Sequence, residues 1–462
     1  MIKYKLFKHQ EDTIKFAESR NFNAGLFLDM GLGKTLVSIE CFKRAKEKDK
    51  DLKLIVLCPI SIIDASWGES IEKFSDFEFW NMRKEEPNEW DVGVINYESI
   101  TQSEKRKAMF LSIIKNNEIM IVIDESSKIK NGKAQIVKFL IKNSDYFKYK
   151  LLLSGTPAPN KETEYYSQIK FLDKTLFHPY FMVFQQQYFL FVRGNEEISN
   201  LTMAPHEYMR AGYKIKMNPE KKIEFYNKIG QLCIFKKKKD CLDLPDKIDI
   251  IRSITMSDKQ HKIYKFMEKH MIAEINDEII PAFQAVTKLM KLRQITSGFA
   301  INEQGEVFEI NALSTKMKEL KNVLDELGDE QVIIWGNFRH EIKKINEVLG
   351  DQSRTIFGET SEKERIQNIS EFQEGVFRYL ICHPQSAGHG LTFVNTNYQI
   401  FFSLNYSYEQ YEQASDRIHR IGQTKDCVYI HLLCKGTIDE VMYQVLQRKG
   451  DAQDLIYNFL KR

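Results

Sequence analysis

Metal-ligand spacing is missing from this chain. Its seven cysteines include no C-x-x-C pair, and its ten histidines form no H-E-x-x-H or comparable pattern. That excludes a zinc module and predicts ordinary thiols in a reducing compartment. Cys233 and Cys241 read as buried or partly buried thiols, and His383 and His389, beside a Gly-rich loop, as packing residues rather than ligands. No apolar run approaches membrane-spanning length, and the opening MIKYKLFKHQ lacks the apolar core of a signal peptide. A soluble, cytoplasmic protein without a membrane partner is expected. Charge of one sign is lacking too. Lys+Arg at 67 against Asp+Glu at 64 leaves +3, which excludes a globally basic nucleic-acid binder and makes any such footprint local. No low-complexity linker interrupts the 462 residues, which suffice for two or three domains with real cores.

What is present begins with a phosphate cradle. The apolar run at 24–29 reads as a buried strand, Gly31 and Gly33 allow a tight turn, and 35–45 has helical periodicity. Strand, turn and helix N-terminus aim backbone N–H groups and a positive dipole end at an anion. In MGLGKT (Met30, Gly31, Leu32, Gly33, Lys34, Thr35), Lys34 is placed for the β- and γ-phosphates and Thr35 for Mg²⁺. The first glycine of the full G-x-x-x-x-G-K-[ST] pattern is replaced by Leu28. IMIVID at 119–124 is a second buried strand, ending in an acid. Asp124 is placed to hold Mg²⁺ and Glu125 to orient or deprotonate the attacking water. Each element alone is weak; in this order they predict binding and hydrolysis of a nucleoside triphosphate. Far downstream, QASDRIHRIGQ at 413–423 puts Gln413, Arg417 and Arg420 at i, i+4 and i+7, one face of a helix that Gly422 would stop. Read locally this is a solvated face; beside a phosphate cradle it becomes an anion grip.

These segments resemble, in order, the motifs of superfamily-two helicase-like motors of the Swi/Snf group, especially the compact forms of phages and prophages. The resemblance runs from Leu6 to about Glu440. LFKHQ at 6–10 resembles the adenine-reading element, with Gln10 on the base edge. LCPISIIDASW at 57–67, with Ser61, and VINYES at 94–99, with Tyr97, resemble loops that meet nucleic acid. DESSKIKN at 124–131 stands for the acidic box, and LLLSGTPAPN at 151–160, with Ser154 and Thr156, for the coupling motif. QVIIWGNF at 331–338, ICHPQSAGHGLTF at 381–393, with Ser386, Gly388 and Gly390, and GTIDE at 436–440 complete the series. One departure stands out: Ser127 occupies the place of a histidine that relatives use between hydrolysis and coupling, so the form of coupling is left open.

The resemblance implies an α/β protein of two RecA-like parallel-sheet lobes in tandem with a helical insertion between them. The expected division is lobe one at 1–175, a mainly helical protrusion and junction at 176–300 with a brace near 235–252, and lobe two at 301–462. Strands are expected at 54–58, 92–95, 119–123 and 150–153 in the first lobe and at 332–335, 379–382, 399–403 and 428–433 in the second. The aromatic run FMVFQQQYFLF at 181–191 reads as helix core, and Lys236 to Lys239 as a solvated face or a phosphate contact. The resemblance implies ATP with Mg²⁺ as substrate and arginines that complete a site divided between the lobes. The expected partner is double-stranded DNA, held by its backbone without sequence preference. A monomer, replication or recombination proteins as partners, and a bacterial or phage-infected cell complete the expectation. Two alternatives stay open: a strand-separating DNA or RNA helicase, and a nucleotide-gated DNA-binding switch without processive motion.

Overall fold

Strands form here where runs of Ile, Val and Leu can be buried on both faces. The computed structural model describes residues 4–447 apart from 86, 160, 195, 199–206, 209–210, 278–281, 303 and 388–390. In chain order the first strands are β1 (Asn23–Leu28), β2 (Lys53–Cys58), β3 (Phe79–Asn81), β4 (Val92–Asn96), β5 (Ile119–Asp124) and β6 (Phe147–Leu153). β7 (Phe189–Arg193), β8 (Glu196–Ile198) and β9 (Lys214–Met217) come next as a separate antiparallel sheet, and β10 (Cys233–Lys236) then returns to pair with β1. The main sheet has the order β10-β1-β6-β5-β2-β4-β3, with every pair parallel. Successive side chains of a strand point to opposite faces, and β5 shows the consequence. Ile119, Ile121 and Ile123 enter one apolar cluster, while Met120 and Val122 enter another on the opposite face.

The second sheet repeats the design. Its strands are β11 (Lys247–Ile254), β14 (Val332–Trp335), β15 (Ser353–Ile356), β16 (Tyr379–Cys382), β17 (Tyr398–Phe401) and β18 (Cys427–Cys434), while β12 (Phe299–Ile301) and β13 (Val307–Glu309) form a small antiparallel hairpin. The order β11-β18-β17-β14-β16-β15 is again parallel throughout. Two parallel sheets clothed by helices make this an α/β protein with two RecA-like lobes. Among the described residues, no helix is long and apolar enough to cross a membrane.

The middle of the chain carries short strands beside its helices. The chain divides into units at Met1–Leu242 and Asp243–Arg462, so the stretch 176–300 is shared between them. The aromatic run splits into a helix, Phe181–Tyr188, and then β7, because Phe189 and Phe191 point inward while Leu190 and Val192 stay partly exposed. The period thus changes from helical to alternating within one apolar run. Phe184, Tyr188, Phe189 and Phe225 form the aromatic core expected of it. The brace region splits as well: β10 is an edge strand of the first sheet and β11 an edge strand of the second. Nor are the four lysines one solvated face, since Lys238 is buried and its backbone N–H donates to Asp29 Oδ2 at 3.0 Å.

A buried histidine makes the second unit sensitive to acid. His431 on β18 is fully buried, stacks on Phe401 at 5.0 Å and bonds Tyr411 Oη through Nε2 at 3.0 Å, with Asp249 lying 3.8 Å from Nδ1. Burial pushes its pKa from 6.5 down to about 4. Between those values the unfolded chain takes the proton and the folded chain refuses it, so stability is present above pH 6.5 and drains away as pH falls toward 4. Melting curves across that window should show the second unit's midpoint dropping steadily. A His431→Gln variant should lose most of that slope; an unchanged slope would assign the acid sensitivity elsewhere.

Candidate nucleotide-binding site

The phosphate turn lies between β1 and the helix Lys34–Lys48. Gly31 and Gly33 have φ of 83° and 82°, a region that side chains with a Cβ enter only with strain. Space forbids a side chain at Gly33 as well, because an added Cβ would stand 2.4 Å from Gln10 Nε2. Gln10 is buried behind the turn: Nε2 donates to Leu32 O at 3.2 Å, and Oε1 accepts from Phe7 N at 2.9 Å. It caps its own helix and braces the turn through its amide. Lys34 Nζ donates to Leu28 O at 2.9 Å and Asp29 O at 3.4 Å, folding back over the strand end. Leu28, at the position of the motif's first glycine, is a fully buried residue at the end of β1. Asp29 is fixed in turn by β10, its N–H donating to Lys236 O at 2.9 Å. Thr35 sits half-buried in the first turn of the helix.

β6 lies between β1 and β5, so the phosphate turn, the acidic pair and the coupling loop all leave the C-terminal edge of one sheet. Parallel sheets place their ligands at that edge. Asp124 is buried there. Its Oδ2 accepts from Trp67 Nε1 at 2.9 Å and its Oδ1 from Glu125 N at 3.0 Å. Burial pushes its carboxyl pKa up, while the Trp67 bond, the Lys34 charge and the Glu125 N–H pull it down. Glu125 has φ of 58°, one of three residues other than glycine with positive φ among those described. Such backbone costs on the order of 1–2 kcal/mol and persists only where its surroundings enforce it. Among the described residues no group of three or more His, Cys, Asp and Glu could hold a metal. A hard oxygen from each of Asp124 and Thr35 still fits Mg²⁺, which takes few protein ligands and leaves the rest to phosphates and water.

Of the residues expected to meet nucleic acid, Ser61 is half-buried in the short helical turn Ile60–Ile62. Ser154 is buried directly after β6 and its Oγ accepts from Thr156 N at 3.1 Å. Tyr97 takes a different place: it is buried, and its hydroxyl donates to Asp124 O at 2.6 Å, so it supports the acidic strand end rather than facing a ligand. Ser127 is also buried, without the reach of an imidazole. In the second unit Ser386 is half-buried in the short helix Pro384–Ala387, while Gly388 and Gly390 lie outside the described residues. Sequence reasoning missed Trp67 and Gln168. A tryptophan closing a loop motif and a lone amide inside the apolar helix Tyr165–Leu172 were the available signals.

The arginine segment corrects the single-face expectation. The helix Tyr408–Ser415 ends before either arginine, and Gly422 lies in a later turn with φ of 100°. Gln413 is buried on the helix. Arg417 is 1% exposed; its Nε donates to Gln413 O at 2.8 Å and its Nη1 to Leu391 O at 2.9 Å. Arg420 remains partly accessible, with Nε on Asp416 O at 2.9 Å and Nη1 on Thr392 Oγ1 at 2.8 Å. Desolvation pulls its pKa down and Asp416 pushes it up. The two guanidiniums therefore differ, Arg417 being buried and bonded to Gln413 and Leu391 while Arg420 is only partly buried.

Two substitutions test these assignments. Arg417→Ala strands two buried carbonyls and should cost about 3 kcal/mol, seen as a lower melting temperature, whereas Arg420→Ala should melt close to the parent. Trp67→Phe removes the N–H that helps keep Asp124 ionised. The acid limb of its ATPase pH profile should move to higher pH, and an unmoved limb would detach Trp67 from Asp124's ionisation.

Comparison with known proteins agrees with this architecture. A family model described as the SNF2-related domain matches residues 9–298, and one described as the helicase conserved C-terminal domain matches 315–422. The chain is 26% identical over 461 residues to a SWI/SNF-related matrix-associated actin-dependent regulator of chromatin subfamily A-like protein 1 homolog of Caenorhabditis elegans, covering 97% of this chain and 61% of that protein. It is 21% identical to putative protein p41 of Acyrthosiphon pisum secondary endosymbiont phage 1, covering 95% of each. Against the human DNA annealing helicase and endonuclease ZRANB3 it is 25% identical, covering 98% of this chain and 40% of the relative. The chain thus spans 61% and 40% of the length of these two animal proteins. Among solved structures, the Sulfolobus solfataricus SWI2/SNF2 ATPase core in complex with dsDNA aligns at 25% identity and a TM-score of 0.44, over 100% of this chain and 94% of that one. With a phosphate turn and an acidic pair on one sheet edge and the SNF2-related model covering more than half its length, the chain belongs to the SNF2-related family of helicase-like ATPases.

Proposed function

We propose that the protein is an ATP-driven translocase on double-stranded DNA. The observation that carries this reading is the C-terminal edge of the first sheet, where a two-glycine phosphate turn with Lys34 and the Asp124–Glu125 pair leave strands separated only by β6. The phosphates of ATP are assigned to the backbone N–H groups of Gly31, Leu32 and Gly33 and to Lys34, which must exchange its carbonyl partners for them. Mg²⁺, held by Thr35 and Asp124, would neutralise charge on the phosphates. Glu125 orients the attacking water from a backbone held at a φ of 58°. Arg420 stabilises the transferred charge, an arginine-finger effect of about a thousand-fold or more in rate. Gln413 and Arg417 shape the segment that presents it. Gln10 holds the turn from behind while its remaining N–H stays available to the base.

The DNA assignment rests on family membership and on relatives whose names place them on DNA or chromatin. Ser61, Ser154, Thr156 and Ser386 supply small polar groups suited to backbone phosphates without reading bases. A role in phage or bacterial replication, recombination or repair is part of the same proposal, as the phage relative of matching length supports.

Steady-state ATPase on single-stranded DNA, duplex, fork and RNA in parallel tests the reading. Duplex DNA should stimulate turnover, Lys34→Ala and Glu125→Gln should abolish it, and Arg420→Ala should cut it about a thousand-fold while ATP still binds. Triplex displacement without unwinding of a plain fork is the expected motor signature. Robust fork unwinding would favour a strand-separating helicase, and turnover indifferent to every nucleic acid would end the translocase proposal.

A further inference from the structure

The acidic turn and the coupling loop leave neighbouring strands, and the bond that joins them passes through Gln168, a residue given no role above. Ser126 Oγ, on the residue after Glu125, donates to Gln168 Oε1 at 2.7 Å. Gln168 Nε2 then donates to Pro157 O in the coupling loop at 2.7 Å and to Glu164 O at 3.0 Å. Ser126 and Gln168 are both fully buried. The amide orientation is determined, since reversing it would set Oε1 against two carbonyl oxygens that can only accept. An unpaired buried amide is costly, so this amide moves with its partners.

The helix carrying Gln168, Tyr165–Leu172, is also held to the acidic segment at two other points. A Cβ on Gly132 would stand 2.9 Å from Ser167 Oγ, so backbone and helix meet closely there. Lys130 Nζ lies 3.9 Å from Glu164. The acidic segment and the helix are therefore packed together, while Pro157 belongs to the loop after β6. Ser127 lies one residue beyond the relay and is buried.

We infer that Gln168 is a positioning residue that relays displacement of the 154–157 loop through Ser126 to the backbone of Glu125, making the stimulation of ATP hydrolysis by DNA depend on an amide. This rests on the proposed function, in which the loop meets DNA and Glu125 orients water. Glu125 is sensitive to such a relay because its φ of 58° must be enforced by the residues next to it. Ser126 is the first residue on its C-terminal side able to do so.

The test measures ATP turnover of the full chain with and without linear duplex DNA for the parent, Gln168→Leu, Ser126→Ala and the double variant. Each single variant should lower DNA-stimulated kcat roughly tenfold, equivalent to about 1.4 kcal/mol. DNA-free kcat, KM for ATP and affinity for the duplex should stay near the parent's. A merely structural role would instead lower the melting temperature and DNA-free turnover together. The double variant should be no worse than either single one, because one relay cannot be cut twice. If Gln168→Leu folds poorly, Ser126→Ala, which removes only a hydroxyl, decides the matter alone. A parent that DNA does not stimulate would sink the translocase reading itself. A stimulated parent whose Ser126→Ala variant keeps full stimulation, or additive losses in the double variant, overturns the relay and leaves the translocase reading standing.

Discussion

A carboxylate at the end of a strand buried on both faces has to be solvated by the protein, and the first lobe is organised around that demand at Asp124. Water cannot reach it freely, so an indole N–H from Trp67 and the next backbone N–H take water's place. Tyr97 holds the carbonyl of the same residue. Lys34 contributes its charge from the phosphate turn two strands away. These groups come from four separated stretches of chain, so the acid holds its direction only when the whole sheet edge is assembled.

The same device recurs along that edge. Each functional turn is held from behind by a buried amide: Gln10 against the phosphate turn, Gln168 between the acidic turn and the coupling loop. An amide suits this place because it donates and accepts at once and, when buried, is costly to leave unpaired. The left-handed backbone at Gly33 and Glu125 stands next to these supports. Strain and brace occur together because the first persists only where the second enforces it.

In the second lobe two arginines three residues apart, which a helical wheel would treat alike, are separated by burial. The helix stops at Ser415, the chain tightens, and Arg417 turns into the lobe to satisfy carbonyls at Gln413 and Leu391. Arg420 ends partly accessible beside Thr392. Breaking off the helix is what divides the pair into a buried fastener and a cation that solvent can still reach.

Most strands of both sheets were legible because a strand buried on both faces is rich in apolar residues, and β1, β2, β4, β5, β14 and β16 appear where such runs occur, with β6, β17 and β18 carrying Lys150, Gln399 and His431 among theirs. The phosphate turn was legible because its chemistry needs glycine, lysine and a hydroxyl within a few residues of each other. The edge strands β10 and β11 were not, since most of their residues are at least partly exposed and their pairing partners lie far along the chain, while β7 was hidden inside an aromatic run that begins as a helix. The inward place of Tyr97 was hidden for the same kind of reason: a sequence shows a hydroxyl, and only the fold shows the carbonyl that takes it. Residue types and their order determined the family by themselves. Tertiary structure decided which polar groups are buried and what holds them, because that depends on partners tens to hundreds of residues away.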